Sequence, residues 1–454
     1  MHYDVIIIGG GPGGTTAAKE LAAGGKKVAI IEDKHWGGTC LNCGCIPTKM
    51  LLGATAPLGL LKAQERLRTM KGSIDIDYKA LQTRVGRFLK GSSQTLAKSL
   101  AAAGITLYEG RGVCAGKGQA IVRSESGEEM LTYDNIILSC GSSSASFPGL
   151  APDGDAVLDS TGVLNLPEVP ESLIIVGAGA IGLELGDFFG MMGSKITIVE
   201  AAPHIAPTED ADIAKEMDRV QSKAGRTCIT GVMAKSLVTK DGQAELTLGD
   251  GRVLTASKAL VAVGRTPNTA GLDCEKAGCT LKRRGFVDVN DHLEAAEGVY
   301  AIGDVSAVIQ LAHVAAAQGI ACVNRMCGRQ AATDLNVVPS CIYSSPEIAV
   351  VGLTEAEAKE QGINAVSGKC TMFGNARTVI EDPGRCFMKL VADRDTGRLI
   401  GAQLMCQHAS DIISQLSAAL VNGLTVGQLL SVMRPHPSFE EAMTEALERL
   451  AEKL

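Results

Sequence analysis

Aromatic side chains are scarce in this chain, with 1 Trp, 6 Tyr and 8 Phe among 454 residues. That scarcity argues against a stacking platform for single-stranded nucleic acid. Positive charge is not in excess either: 43 Lys and Arg stand against 50 Asp and Glu, a formal net charge of −7. No basic field is therefore aimed at nucleic acid or at anionic lipid. Long unbroken apolar runs are missing too. The longest apolar stretch, around 173–193, is interrupted by Glu184 and Asp187 and carries a glycine fingerprint, so it does not read as a membrane span. The first strand-like run, 3–8, starts almost at Met1 and leaves no space for the charged and apolar regions of a secretory leader, so none is expected. The 14 cysteines do not follow the spacing of a small secreted domain. Most are expected to be free, buried, small hydrophobes of a reducing, cytoplasmic compartment.

What is present is organised by an internal repeat in a chain long enough for about three domains. Val5-Ile6-Ile7-Ile8 reads as a buried strand and runs into Gly9-Gly10-Gly11-Pro12-Gly13-Gly14, a helix-like segment and the strand Lys27-Val28-Ala29-Ile30-Ile31, ending at Glu32. The second copy has Leu173-Ile174-Ile175-Val176, then Gly177-Ala178-Gly179-Ala180-Ile181-Gly182, a helix, and Lys195-Ile196-Thr197-Ile198-Val199 before Glu200. In both copies the acid stands 23 positions after the first glycine. Each copy reads as a βαβ unit with a dinucleotide fingerprint. Gly9 and Gly177 make the tight turn, Gly11 and Gly179 let backbone approach a pyrophosphate, and Gly14 and Gly182 allow the helix to pack on the strand. The helix N-terminus holds the phosphates, and Glu32 and Glu200 face ribose hydroxyls. A carboxylate at Glu200 bonds a free 2′-hydroxyl and repels a 2′-phosphate, which favours NAD over NADP. Two dinucleotides in one chain imply a relay, one held and one exchanged.

Three cysteines crowd into the run Gly37-Gly38-Thr39-Cys40-Leu41-Asn42-Cys43-Gly44-Cys45-Ile46-Pro47-Thr48-Lys49, just after the first fingerprint. Thiols that close to a bound dinucleotide suggest electron traffic between sulfur and a flavin. Cys40-x-x-Cys43 also has zinc-ligand spacing, but it lacks a matching second pair, and no metal site is expected. Further along, 50–105 has helical spacing, 121–137 reads as short strands, and 142–152 is rich in Ser, Pro and Gly and reads as a linker. From about 337 the chain mixes strands and helices as an α+β module.

The cysteine run resembles the active-site signature of the pyridine nucleotide–disulfide oxidoreductases. The likeness extends to Asn135-Ile136-Ile137-Leu138, Gly264-Arg265-Thr266-Pro267-Asn268, Tyr300-Ala301-Ile302-Gly303-Asp304-Val305, Tyr343-Ser344-Ser345-Pro346-Glu347 and His436-Pro437. Within the family it is nearest to the dihydrolipoamide-oxidising members, through Cys45-Ile46-Pro47-Thr48-Lys49, Gly182-Leu183-Glu184-Leu185-Gly186 and Leu311-Ala312-His313. The resemblance implies an α/β fold with two Rossmann-like dinucleotide-binding domains and a C-terminal α+β dimerisation domain. The boundaries it implies are 1–146 for FAD, 147–265 for NAD, 266–335 completing the FAD domain, and 336–454 for the interface.

By the same resemblance Cys40 and Cys45 form a redox disulfide, Cys40 exchanging with substrate sulfur and Cys45 facing the flavin. Lys49 approaches the flavin and pairs with Glu184, Asp304 holds the ribityl chain, and Thr39, Gly141 and Gly264 lie along the cofactors. His436 acts as the base, oriented by Glu441, and reaches across from the partner subunit of a homodimer. The implied reaction is oxidation by NAD⁺, through FAD, of a dihydrolipoyl group carried by a protein of a 2-oxoacid dehydrogenase or glycine cleavage complex. The chain has no lipoyl-type domain of its own to supply that group. Glutathione-type or mercuric-type reduction with NAD(P)H, or a non-catalytic assembly subunit, remain the alternatives. Cys43, Cys140, Gln318, Arg434 and Ser438 depart from the family pattern, where an apolar residue, Thr, Glu, His and Thr are usual.

Overall fold

Val5, Ile6, Ile7 and Ile8 are all buried, at 5% exposure or less, because both faces of the strand His2–Ile8 are covered. A run of β-branched residues without alternation is what a two-sided parallel strand requires. The computed structural model describes residues 1–306, 309–330 and 333–454. In it, this strand pairs in parallel with Val28–Glu32 on one side and Gly127–Leu138 on the other. Val5 and Ile7 pack with Ala17, Ala18 and Leu21 of the helix Pro12–Ala23 and with Cys322 and Val323 of the helix Ala312–Met326. Ile6 and Ile8 look the other way, onto Cys114, Ala120 and Val122 of an antiparallel meander. The two helices approach closely because Gly319 has no side chain; a Cβ there would lie 2.8 Å from the Gly13 carbonyl oxygen.

These segments belong to the first of two compact units, Met1–Thr48, Gln82–Ala145 and Gly264–Leu335. The second comprises Lys49–Leu81, Ser146–Val263 and Asn336–Leu454. It contains a parallel sheet centred on Ser172–Val176, which pairs with Lys195–Val199 and Lys258–Val261. The helix Ala180–Met191 follows the central strand. The same unit holds a five-stranded antiparallel sheet running from Ser340–Ile342 to Ala365–Thr371. Its core joins Leu404 and Met388 to Ile413 and Leu416 of the helix Ala409–Val421 and to Met443 and Leu447 of Glu441–Ala451.

Two expectations change in detail. The helical region is two helices, Cys45–Arg66 and Tyr78–Ala102, separated by a non-helical 67–77. The expected linker at 142–152 begins with a strand, Ser142–Ser144, paired with Arg265–Pro267. Three serines carry no hydrophobic period, so only the backbone pairing defines that strand. A three-stranded meander over 234–256, which sequence patterning did not single out, buries Leu237, Ala244, Leu246 and Leu248. Among the described residues one helical run, Gly38–Arg66, is long and apolar enough to cross a membrane by composition. It carries the cysteine motif and the ion-paired Lys49.

Glycine positions separate backbone necessity from convenience. A Cβ at Gly14 would sit 2.0 Å from the Gly9 carbonyl oxygen, whereas one at exposed Gly86, inside the helix Tyr78–Ala102, would meet nothing within 4 Å. Gly14→Ala should therefore lower the thermal midpoint sharply. Gly86→Ala should raise stability by roughly 0.5–1 kcal/mol in the same unfolding assay.

Candidate active site

The two fingerprints are built alike. Gly9 has φ +112° and Gly177 φ +106°, and a Cβ would come within 2.2 Å of the Ser139 oxygen or 2.3 Å of the Ala262 oxygen. At the third glycines a Cβ would strike the first glycine's own carbonyl at 2.0 Å in both copies. At the middle glycines the space is open: Gly179 has nothing within 4 Å and Gly11 only the Gly38 α-carbon at 4.0 Å. Neither helix receives a side-chain cap. The N–H groups of both first turns are thus left for an anion, as a pyrophosphate requires.

The acids are held in matching poses. Glu32 Oε2 accepts from the Gly10 N–H at 2.7 Å, and its Oε1 from Lys34 at 2.9 Å and His35 at 3.1 Å. Glu200 Oε2 accepts from the Ala178 N–H at 2.8 Å and Oε1 from Ala202 at 2.8 Å. Backbone donors fix each carboxylate at its strand end, where ribose hydroxyls belong in such a fold. The glycine cradles and the placed acids fit two dinucleotides.

The cysteine run sits directly on the first cradle. Gly37 donates its N–H to the Gly10 carbonyl at 2.8 Å. Gly38, at φ +60°, approaches so closely that a Cβ would lie 2.8 Å from the Gly11 α-carbon. From there the short helix Gly38–Cys43 carries Thr39, Cys40 and Cys43, and Cys45 opens the helix Cys45–Arg66. Asn42 ties the turn down, its amide donating to the Trp36 carbonyl at 3.1 Å and the Gly38 carbonyl at 2.9 Å. Cys40 and Cys43 are half-buried and Cys45 is exposed.

Asp304 lies in a cluster with two residues that sequence reasoning did not single out. Ser142 donates its hydroxyl to Asp304 Oδ2 at 2.5 Å, and Arg265 Nε donates to Ser142 Oγ at 2.7 Å while standing 3.7 Å from the carboxylate. Gly141 and Gly264 adjoin the Ser142–Ser144 and Arg265–Pro267 ribbon, with φ +68° and +118° and nothing within 4 Å of either Cβ position. The Asn268 N–H closes on the Gly141 oxygen at 2.9 Å. Arg265 stood inside a matching block; Ser142 had no signal beyond its neighbourhood. Gln318, a departure from the pattern, accepts from the Gly303 N–H at 2.7 Å and fixes the turn before Asp304.

In the second unit Lys49 Nζ meets Glu184 Oε2 at 2.6 Å, with Glu184 only 4% exposed. The other Glu184 oxygen accepts from the Tyr343 N–H at 3.0 Å, and Lys49 lies 4.4 Å from the Tyr343 ring centroid. One helical turn on, Asp187 accepts from the Ser345 N–H at 3.0 Å and pairs with Arg226, both side chains buried. Gln221 Oε1 holds Arg226 at 2.7 Å. Gly190 makes room, since a Cβ there would lie 2.8 Å from Arg226 Nε. The helix Ala180–Met191 thus grips the loop 343–345 through two buried carboxylates. Asp187 is visible in sequence only as an acid three residues beyond Glu184.

His436 and Glu441 form a pair, Nδ1 to Oε1 at 2.8 Å. The Ser438 N–H donates to the other oxygen at 2.8 Å, and Glu441 starts the helix Glu441–Ala451. Chiefly the Ser438 N–H, and then the His436 ring, hold the Glu441 carboxyl below the usual range. The His436 side chain is 74% exposed. This dyad belongs to the second unit and the cysteines to the first. Arg434 is turned inward: its guanidinium donates to the Val432 carbonyl at 3.2 Å, the Leu429 carbonyl at 3.3 Å and the Thr444 hydroxyl at 3.1 Å. Among the described residues no group of three or more His, Cys, Asp or Glu is placed to hold a metal ion.

A family model described as pyridine nucleotide-disulphide oxidoreductase matches residues 3–319, and one described as the dimerisation domain of that family matches 338–447. The chain is 36% identical over 467 residues to a dihydrolipoyl dehydrogenase of Bacillus subtilis, covering 98% of this chain and 97% of that one. It is 35% identical over 457 residues to one of Mycobacterium tuberculosis, covering 99% and 98%. The crystal structure of LpdA from Mycobacterium tuberculosis matches with a TM-score of 0.91 at 28% identity, covering 98% of this chain and 99% of that one.

The buried pair yields a stability test. Asp187→Leu leaves Arg226 buried without its carboxylate and should cost about 3–5 kcal/mol. Adding Arg226→Met should recover most of that loss, read as the midpoint of denaturant unfolding. Equal instability of the single and double variants would show that the pair is not what holds this region.

Proposed function

The chain belongs to the pyridine nucleotide-disulphide oxidoreductases, and on that premise we propose that it oxidises a protein-bound dihydrolipoyl group with NAD⁺. Its cofactors are FAD and NAD(H). The observation that carries the reading is the seating of the cysteine run on the first dinucleotide cradle, with Gly38 against Gly11. What the dinucleotides supply when bound is two-electron chemistry, from dithiol to flavin and on to NAD⁺ as hydride.

The residues divide the remaining work. Cys40 exchanges with the substrate sulfur, and Cys45 is the partner with which it closes a disulfide. A thiol of ordinary pKa, about 8.5, is mostly protonated at neutral pH, so the exchange needs a base. His436 takes that proton at Nε2, because Glu441 occupies Nδ1 and sets the ring's orientation. Lys49, four residues after Cys45 on one helix, offers a cation to the reduced flavin and is kept in place by Glu184 and Tyr343. Gly9, Gly11, Gly14 and Glu32 hold FAD with Thr39, Gly141 and Asp304. Gly177, Gly179, Gly182, Glu200 and Gly264 serve NAD.

The working organisation is 1–146 for FAD, 147–265 for NAD, 266–335 returning to the FAD domain and 336–454 for the subunit interface. The dimerisation-domain match supports a homodimer in which His436 completes the partner's site. Exposed apolar side chains in that region support it too: Met433 is 94% exposed, Phe373 61% and Val379 60%. The partner is a lipoyl-bearing protein of a 2-oxoacid dehydrogenase or glycine cleavage complex, and the setting is cytoplasmic. Similarity to curated dihydrolipoyl dehydrogenases over nearly the whole chain supports the substrate.

Steady-state turnover tests the assignment. The FAD-loaded dimer should use dihydrolipoamide and NAD⁺ with a kcat/KM about 100-fold or more above that for glutathione disulfide and NADPH, a margin of about 2.7 kcal/mol. Preference for the second pair would move the chain to the glutathione-type branch, and no turnover in either direction would leave a scaffold. Glu441→Gln should lower kcat on the order of 10- to 100-fold with little change in KM, since it disturbs the base and not the binding. A carboxyl held below the usual range of about 4.3 loses its charge only as pH falls through that lowered value. No limb of the wild-type pH–rate profile between about pH 5 and 9 should therefore belong to Glu441.

A further inference from the structure

A second pair of cysteines with the same spacing lies far along the chain, at Cys274 and Cys279. A short 3-10 turn, Cys274–Ala277, ends at Gly278, which takes the left-handed conformation with φ +96°. The Gly278 N–H donates to the Glu275 carbonyl at 3.0 Å and the Cys279 N–H to the Cys274 carbonyl at 3.2 Å. This pair of bonds is the Schellman arrangement, which brings the side chains at the two ends of the longer bond into contact. Here both of those side chains are thiols. The backbone bond ties the two residues together across a single turn.

The surroundings make the two sulfurs unequal. Cys274 is fully buried and Cys279 is 5% exposed. The neighbouring Cys274 thiol lowers the Cys279 thiol from its ordinary value. Cys274 is pushed up by the neighbouring Cys279, then by burial and by Glu275, whose carboxylate oxygen accepts from the Cys274 thiol at 3.7 Å. Cys114 shares the core cluster but is raised to about 12, chiefly by burial, and has no backbone turn aligning it with either sulfur.

We propose that Cys274 and Cys279 are a second redox pair, closed to a disulfide by hydrogen peroxide or a like small peroxide and working independently of Cys40 and Cys45. Cys279, the one of the two with exposed surface, is the attacking sulfur. As thiolate it takes one peroxide oxygen; the O–O bond breaks, and the departing hydroxide picks up the proton that Cys279 released, giving water and a Cys279 sulfenic acid. Cys274 sulfur then attacks Cys279 sulfur. The S–S bond forms, the S–O bond breaks, and the hydroxyl leaves with the Cys274 proton as a second water. Two thiols lose two electrons and one peroxide becomes two waters. The product covalently closes the turn that follows Leu272, whose carbonyl accepts from the Cys114 N–H at 2.9 Å, so oxidation is felt by the meander beside it.

Lys276 lies between the two cysteines, so trypsin separates them into peptides 266–276 and 277–282. The FAD-loaded dimer is treated with hydrogen peroxide, its remaining thiols are blocked with N-ethylmaleimide, and the digest is read by mass spectrometry with and without dithiothreitol. Peptides 266–276 and 277–282 should appear joined, at about fivefold or more above the untreated protein, and part on reduction. The same yield is expected from the Cys40→Ser/Cys45→Ser protein, so failure of the active-site assignment would not touch this result. Cys279→Ser and Cys274→Ala should each abolish the linked species. A smaller rise, dependence on Cys40 and Cys45, or Cys274 joined instead to Cys114 would overturn the proposal.

Discussion

Two glycines in contact, Gly38 on Gly11, set the relation on which the proposed chemistry depends. The middle glycine of a dinucleotide fingerprint lies where backbone must approach phosphate, so its surroundings are already cleared of side chains. A redox motif that enters through another glycine reaches the same spot. Any Cβ at Gly38 would lie 2.8 Å from the Gly11 α-carbon and force the cysteine helix away. The Gly37 N–H bound to the Gly10 carbonyl then fixes the direction in which that helix leaves. Sulfur is brought beside the cradle by backbone packing, before any side chain contributes.

The second fingerprint shows what belongs to dinucleotide binding alone. Gly177, Gly179, Gly182 and Glu200 repeat the positive φ, the uncapped helix and the tethered carboxylate of the first copy. No cysteine run is laid over Gly179, whose Cβ position is open. The duplicated unit thus repeats the glycine cradle and the tethered acid, and the cysteine run is laid over the first copy.

Buried charge is concentrated where a loop must be held. Glu184 and Asp187 leave one face of a single helix and between them engage Lys49, Arg226 and the N–H groups of Tyr343 and Ser345. Burying such groups is costly unless each is paired and hydrogen-bonded, which explains the crowding of Gln221 and the glycine at 190 around Arg226. The same logic, with less burial, orders Glu441 between His436 and Ser438.

Local chemistry and periodicity were enough to read both βαβ units, the acids at 32 and 200, the redox run and the class of cofactor, because glycine geometry and β-branched strands write themselves into a few consecutive residues. The pairing of His436 with Glu441 was expected from the resemblance of their block to the family's, and the folded chain places the two side chains 2.8 Å apart. What needed the folded chain were partners distant in sequence. Ser142 and Arg265 around Asp304 are 162 and about 40 positions from it, and they meet through a ribbon whose serines carry no pattern. Arg226 and Ser345 reach Asp187 from separate segments. Cys274 and Cys279 were close in sequence, but only the folded backbone, with its left-handed turn at Gly278, shows the bond from the Cys279 N–H to the Cys274 carbonyl. Sequence alone determined the two glycine fingerprints with their acids and the cysteine run beside the first, since each lies within one turn or strand. Tertiary structure decided which distant groups hold them, since burial and charge balance depend on everything packed around them.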